Sequence, residues 1–265
     1  MPKPRALVLS GYGLNCEEET ALAFVRAGAL ADIVNINDLI ARKRSLGDYR
    51  ILAFPGGFAY GDDTGAGNAY ANRLRNNLWG EVRKFVEEGN LVIGICNGFQ
   101  ILANLGLLPN FGNSYERKIA LLHNDSARYT VRWVDLAFFG RSPWVKGLGA
   151  MALPIAHGEG RLYAEEGVLE EMNRKGMVAA RYVKGEICET QGLKHNPNGS
   201  LQDIAAITDE SGRVFGIMPH PERAQHFTNL PDWTLRREKA RRRGVEELPK
   251  EGPGLRIFQN AVGYF

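Results

Sequence analysis

Cys96, His220 and Glu222 are the residues of this 265-residue chain whose types and settings could do chemistry together. Cys96 stands in LVIGICNGFQIL, Leu91 to Leu102, where a run of apolar and small residues meets Asn97-Gly98 directly after the thiol. Gly94-Ile95-Cys96-Asn97-Gly98 has the form G-x-C-x-G. That is the cysteine counterpart of the G-x-S-x-G elbow, in which a strand ends, a sharp turn projects the nucleophile and a helix starts behind it. The helix start favours thiolate over thiol through unpaired N–H groups and the positive end of the dipole. The backbone N–H of Asn97 would face the oxyanion formed when a carbonyl is attacked. A buried structural cysteine is the plain alternative, and the paired glycines with the strand-to-helix switch weigh against it.

A nucleophilic thiol needs a base, and the base needs a group to orient it. Of five histidines, His123, His157, His195, His220 and His226, only His220 has a carboxylate at a useful offset, in GIMPHPER. Residues i and i+2 of an extended segment share a face, and Pro221 disfavours helix at His220. Glu222 is therefore expected to hold one ring nitrogen and leave the other for Cys96. A third piece is FPGGFAYGDD, where Gly56-Gly57 follows the RILAF run and the Gly57 N–H is placed to complete an oxyanion hole. His157 in AHGEGR has no elbow beside it, which favours a loop or interface role over a second base. Asn124, Ser126 and Arg132 bracket a strand and read as structural or as support for substrate or partner. Cys16 lies near a helix start, but its acidic neighbours are expected to raise its pKa, making it a bystander.

The elements that must position these groups are parallel β/α units. ALVLS (Ala6 to Ser10), ADIVNI (Ala31 to Ile36), RILAFP (Arg50 to Pro55) and LVIGI (Leu91 to Ile95) are β-rich and alternate with helical stretches. Asn15 is expected to cap the first helix, with Glu18 in the capping-box position, and the helix runs to Gly28. A second long helix is predicted from about Asn68 to Glu88, stopping at Gly89. Strands in such sheets present ligands beyond their carboxyl ends. After Gly106 come RYTVRWVDLAFF, MALPIA and MVAARYV, then two strands joined by the Asp209 to Gly212 turn, and LRIFQNAVGYF as a closing helix. The expectation is an α/β fold in one domain, residues 1–265, with residues 224–254 as an extended C-terminal loop and helix region.

Composition narrows the function classes. At 44% hydrophobic and 24% charged residues the chain is ordinary globular protein, and no segment approaches the ~20 apolar residues of a membrane span. The short apolar run near the N-terminus is too little for a signal peptide. Cys16, Cys96 and Cys188 are odd in number and lack CxxC spacing, which suggests neither disulfides nor zinc, and a reducing cytoplasm is the expected location. Arg236 to Arg243, RREKARRR, carries a local charge of +5 within a net +3. One short cluster fits a solvated helix face or a protein docking surface better than a nucleic-acid surface, which would spread charge with aromatics.

Pro55-Gly56-Gly57, G-x-C-x-G-x-Q ending at Gln100, and His220-Pro221-Glu222, in this order, resemble the class I (triad-type) glutamine amidotransferases. Within them GLNCEEETALAFVRAGA, PGGFAYGDDTGAG, NDSARYTVRW, AHGEGR, NPNGS and MPHPER resemble the glutaminase subunits of phosphoribosylformylglycinamidine synthase, from residue 11 to about 223. The resemblance implies a flavodoxin-like, doubly wound, mostly parallel sheet with helices on both faces and additional β-hairpins. It implies glutamine as substrate, hydrolysed to glutamate and ammonia, with Cys96 as nucleophile, His220 as acid/base, Glu222 as its orienting partner, Gly57 and Asn97 as oxyanion donors, and Gln100 as a contact to bound glutamine. The ammonia would pass to a synthetase subunit, and a further small subunit is compatible with such an assembly. No cofactor or metal is expected on this chain; ATP and magnesium belong to the synthetase. A glutaminase for another synthetase, a cysteine peptidase of the same fold and a non-catalytic interaction module are the competing readings. NFGNSYERKIALLHNDS and the tail after Arg223 are longer than the family pattern, which bears on docking rather than chemistry.

Overall fold

Among the described residues, nine strands form one sheet through which the chain winds in two directions. The structure, a computed structural model, describes residues 2–63, 65–245 and 247–265; residue 64 of the glycine-rich motif and residue 246 of the 224–254 region lie outside the described residues. Strands β1 (Arg5–Ser10), β2 (Leu30–Asn35), β3 (Ile51–Phe54) and β4 (Leu91–Ile95) alternate with α1 (Glu17–Arg26), α2 (Ile36–Ile40), α3 (Asn68–Asn77) and α4 (Trp79–Glu87). Helix α5 (Asn97–Leu105) follows β4 directly. The second half holds β5 (Ile119–Leu122), β6 (Thr130–Phe138), β7 (Ala150–His157), β8 (Arg161–Ala164), α6 (Glu166–Arg174), β9 (Val178–Val183), α7 (Glu186–Gln191), β10 (Ile204–Thr208), β11 (Val214–Ile217), α8 (Trp233–Arg242) and α9 (Leu255–Val262).

The sheet order is β2-β1-β3-β4-β11-β10-β9-β6-β7. The first five strands are parallel, and β10, β9, β6 and β7 continue the sheet antiparallel. The expected hairpins are therefore largely extensions of the main sheet; β5 and β8 pair separately. β3 and β4 are buried along their whole length, as strands covered on both faces must be, which is why they read as unbroken apolar runs. The order reverses at β1, so right-handed crossovers lay helices on both faces and open a crevice at the carboxyl ends of β1, β3 and β4.

Two local expectations fail for physical reasons. Asn15 does not cap α1: Cys16 is the N-cap residue, and the Asn15 side-chain oxygen instead accepts from the Cys16 thiol. The backbone amides of Asn15 and Cys16 both donate to Gly56 O, which ties this helix start to the loop after β3. The predicted long helix from Asn68 is two helices broken at Leu78, whose φ is −134°. The side chain of Asn77 donates to Arg73 O, competing with the backbone for that carbonyl just where a low-propensity Asn pair weakens the helix. The closing helix forms as α9, its Phe258 packed edge-on against Phe24 of α1 at 5.0 Å.

The helix behind Cys96 sits unusually deep. A Cβ at Gly98 would lie 1.9 Å from Phe54 O, and one at Gly94 would lie 2.5 Å from Gly98 O. Gly98→Ala should therefore lower the unfolding free energy by about 1–3 kcal/mol or more. Gly80→Ala on α4, where a Cβ meets nothing within 4 Å, should be neutral or stabilising by up to about 1 kcal/mol. Denaturant midpoints of the two variants at unchanged slope test the contrast.

Candidate active site

Cys96 links β4 to α5 in a conformation few residues adopt, φ 51° and ψ −107°. The position is anchored from both sides: its N–H donates to Ile217 O at the end of β11, and its carbonyl accepts from Gln100 N–H within α5. A non-glycine residue held at positive φ stores backbone strain that the surroundings must over-determine, a mark of functional sites. The side chain is 6% exposed. It faces a cavity of about 270 Å³ that is also lined by Gly57, Asp62, Gln100, Tyr129 and Glu159. That size is at the small end for ligand pockets and suits one amino acid better than a nucleotide.

His220 follows β11, the neighbour of β4, so two strand ends bring His220 and Cys96 together. Its Nδ1 lies 2.5 Å from Glu222 Oε1, and both side chains are buried. The carboxylate can only accept, so Nδ1 carries the proton. Nε2 is buried without a hydrogen-bond partner among the described residues, as is Glu222 Oε2. The spacing predicts Glu222 on the same face of an extended segment as His220; the structure instead coils Pro221–Arg223 into a 3₁₀ turn with His220 as its N-cap, and the turn carries the carboxylate back to the ring. Burial by itself lowers the pKa of His220, but the charges of Glu222 and the Cys96 sulfur raise it further, leaving it well above the ordinary histidine value.

A second thiol meets the same imidazole. The Cys16 sulfur, the His220 ring and the Glu222 carboxylate place ligand-type atoms within 4.8 Å of one another. Arg223 donates to Cys16 Sγ at 2.9 Å. Burial pushes the Cys16 thiol up, His220 opposes this, and Glu222 adds to it; the acidic residues of α1 are not the main cause. Cys16 is fully buried and does not line the cavity, whereas Cys96 does. Access, not proximity to His220, separates the two thiols.

The remaining candidates fall into place around this pair. Asn97 opens α5, where the first N–H groups have no intrahelical acceptor. Gly57 has φ 155°, and a Cβ there would lie 2.5 Å from Gly13 O. Gln100 reaches the cavity but is held at both ends, its Oε1 accepting from Asn97 Nδ2 at 2.7 Å and its Nε2 donating to Glu159 O at 2.6 Å. His157 is buried, with Nδ1 against Asn124 Oδ1 at 3.0 Å. Burial, aided by the charge of His220, pushes its pKa down to about 3, so it stays neutral and fixes the β7 end rather than acting as a base. Asn124 also donates to Arg128 O and His157 O and accepts from Gly160 N–H, so it staples two loops. Ser126 caps its own turn and Arg132 bonds Lys194 O, both structural contacts. Sequence reasoning missed Tyr129, whose hydroxyl donates to Ala156 O beside Cys96, and Asp62, which bonds Asn97. Nothing in their spacing marks them, because each acts through a neighbour brought in by the fold.

Residues 3–265 match the model of the CobB/CobQ-like glutamine amidotransferase domain. The chain belongs to this family. The phosphoribosylformylglycinamidine synthase subunit PurQ of Methanococcus maripaludis strain S2 is 47% identical to it, covering 99% of this chain and 97% of the relative. The PurQ subunit of Dehalococcoides mccartyi is 41% identical over 99% of this chain and 98% of its own length. Among solved structures, that of PurLQS from Thermotoga maritima superposes with a TM-score of 0.72 at 34% identity, covering 99% of both chains. A glutamine amidotransferase of Thermotoga maritima, at 13% identity and TM-score 0.55, shares the fold.

Two measurements test the electrostatics of this amidotransferase site. Removing the carboxylate in Glu222→Gln lowers the pKa of His220, so the alkaline limb of the rate of Cys96 alkylation should move to lower pH; an unmoved limb would sink the pairing. For His157 the folded pKa of about 3 lies below the ordinary 6.5. Its contribution to stability is full above pH 6.5 and is lost as pH falls toward 3, because only the unfolded state takes up the proton in that window. His157→Gln should flatten the fall of unfolding free energy across this range; an identical slope in variant and wild type would contradict it.

Proposed function

We propose that this chain is the glutaminase subunit of a phosphoribosylformylglycinamidine synthase, hydrolysing glutamine to glutamate and ammonia and delivering the ammonia to a synthetase subunit in purine biosynthesis. The observation that carries the chemistry is the buried His220–Glu222 pair beside a thiol held on a strained elbow over a cavity of amino-acid size. The choice of pathway rests on PurQ relatives matched over nearly their full length. A glutaminase of the same triad serving another synthetase lacks that support.

The parts give the sequence of steps. The Cys96 thiolate attacks the side-chain carboxamide carbon, and the N–H groups of Gly57 and Asn97 hold the tetrahedral oxyanion. His220 gives its proton to the departing nitrogen, which leaves as ammonia and a thioester. The same imidazole then takes a proton from water, the hydroxide cleaves the thioester, and glutamate leaves. Glu222 keeps the ring in one tautomer and stabilises the imidazolium. Gln100 shapes the wall against bound glutamine. ATP and magnesium act on the synthetase, and a further small subunit is compatible with the assembly. Among the described residues no helix is long and apolar enough to cross a membrane, and the three cysteines are free and buried; a cytoplasmic location is part of this reading.

One oxyanion donor contributes ~3–4 kcal/mol, so a small displacement of the Gly57 loop suffices to silence the site. The isolated chain should release glutamate more slowly than the complex by on the order of 100-fold, with synthetase docking setting the loop. In the complex, Cys96→Ala should lose glutamine-dependent synthesis and keep synthesis from ammonium chloride. A wild-type complex that releases no glutamate from glutamine overturns the glutaminase reading, and full turnover by the isolated chain overturns the role of docking.

A further inference from the structure

The loop after β3, described from Gly57 to Asp63, brings one oxyanion donor to Cys96, yet its backbone does not favour the shape it holds. Tyr60 and Asp62 both sit in the left-handed region, each at φ 56°. Neither is glycine, so contacts elsewhere must keep them there. Two groups of contacts do. On the outer side, Phe58 N–H donates to Gly13 O at 2.9 Å and Tyr60 N–H donates to Tyr12 O at 2.7 Å. On the inner side, the fully buried side chain of Asn97 accepts from Ala59 N–H at 3.0 Å and donates to Asp62 Oδ1 at 3.1 Å. Asp62 Oδ1 also accepts from Gly67 N–H at 3.4 Å, which draws the far end of the segment onto α5.

We propose that the Asn97 side chain and the Asp62 carboxylate form a positioning pair that locks the Gly57 N–H to the elbow, so that both oxyanion donors move as one unit. This rests on the glutaminase reading above. Asn97 then has two separate duties. Its backbone N–H is one donor, and its side chain fixes the loop that supplies the other. The one oxygen and both N–H hydrogens of its amide are committed: Oδ1 accepts from Ala59 N–H, and Nδ2 donates to Asp62 and Gln100. Because Gln100 in turn holds Glu159 O, the same network reaches the opposite wall of the cavity. Asp62 lines the cavity, but its bonded oxygen is turned to the loop amides, which makes it a positioning residue rather than an acid or base for the substrate.

A mispositioned donor weakens oxyanion stabilisation without removing the nucleophile, and that difference is measurable. In the complex with the synthetase subunit, Asp62→Ala should lower kcat for glutamate release about 10- to 100-fold with KM changed less than about twofold. Alkylation of Cys96 by iodoacetamide, which forms no oxyanion, should proceed at the wild-type rate. Asp62→Asn, whose side-chain oxygen still accepts from Asn97 and Gly67, should recover most of kcat. Should Asp62→Ala not fold, Asp62→Ser, too short to reach Asn97, is measured in its place. The proposal is overturned by a kcat within about twofold of wild type, by a parallel loss of alkylation, or by an Asp62→Asn variant as impaired as Asp62→Ala. A silent wild-type complex would instead count against the glutaminase reading itself.

Discussion

Everything in the active site depends on how closely α5 is pressed against the carboxyl ends of β3 and β4. Gly98 brings the helix backbone to Phe54 so tightly that no side chain fits between them, and Gly94 allows the same approach from the strand. That contact leaves no room for a relaxed connection, and the residue between strand and helix takes φ 51°. Cys96 opens to the cavity, and the N-terminus of α5 is aimed at it, for the same steric reason. The strain is held in place by ordinary backbone bonds: Cys96 N–H to Ile217 O, and its carbonyl to the helix.

The imidazole is controlled by a balance of burial and charge. A buried histidine tends to stay neutral, as His157 does, with a single amide partner and a pKa of about 3. His220 is just as buried, but the Glu222 carboxylate reverses the direction of the shift. Two histidines near one another thus have opposite roles, set by whether an acceptor with a full charge faces the ring. Arg223 and Cys16 stand behind this pair, and the guanidinium lies 3.9 Å from Glu222 Oε1. The tether of α1 to Gly56 O brings Cys16 into position, which links the first helix of the chain to the His220–Glu222 pair.

The antiparallel half of the sheet serves the site as a wall. β7 ends at His157, beside the cavity, and Asn124 clamps its end to the loop after β5. The arginine-rich stretch is a helix with no buried residue, Arg236 paired to Asp232, and Glu238 answered by Arg241 and Arg242. Such an exposed, internally paired helix agrees with either of the two sequence readings, a solvated face or a docking surface for a partner protein. The interruption at Leu78 and the displaced cap of α1 were not legible, because a side-chain bond to a carbonyl and a loop arriving from β3 decided them.

Sequence by itself determined the parallel β/α core, the elbow at Cys96 and the pairing of His220 with Glu222. Those are local matters: apolar runs make buried strands, paired glycines permit one sharp turn, and Glu222 lies two residues from His220. Even there the sequence reached the right pair through the wrong backbone, since a 3₁₀ turn and not an extended segment brings the carboxylate to the ring. Tertiary structure alone decided which thiol opens to the cavity, since Cys16 and Cys96 both meet His220 and differ in access. It alone joined Asp62 to Asn97, and Gln100 to the far wall. Hydrogen bonds between residues dozens of positions apart leave no periodicity in the chain; they exist only once the strands have fixed the distances between loops.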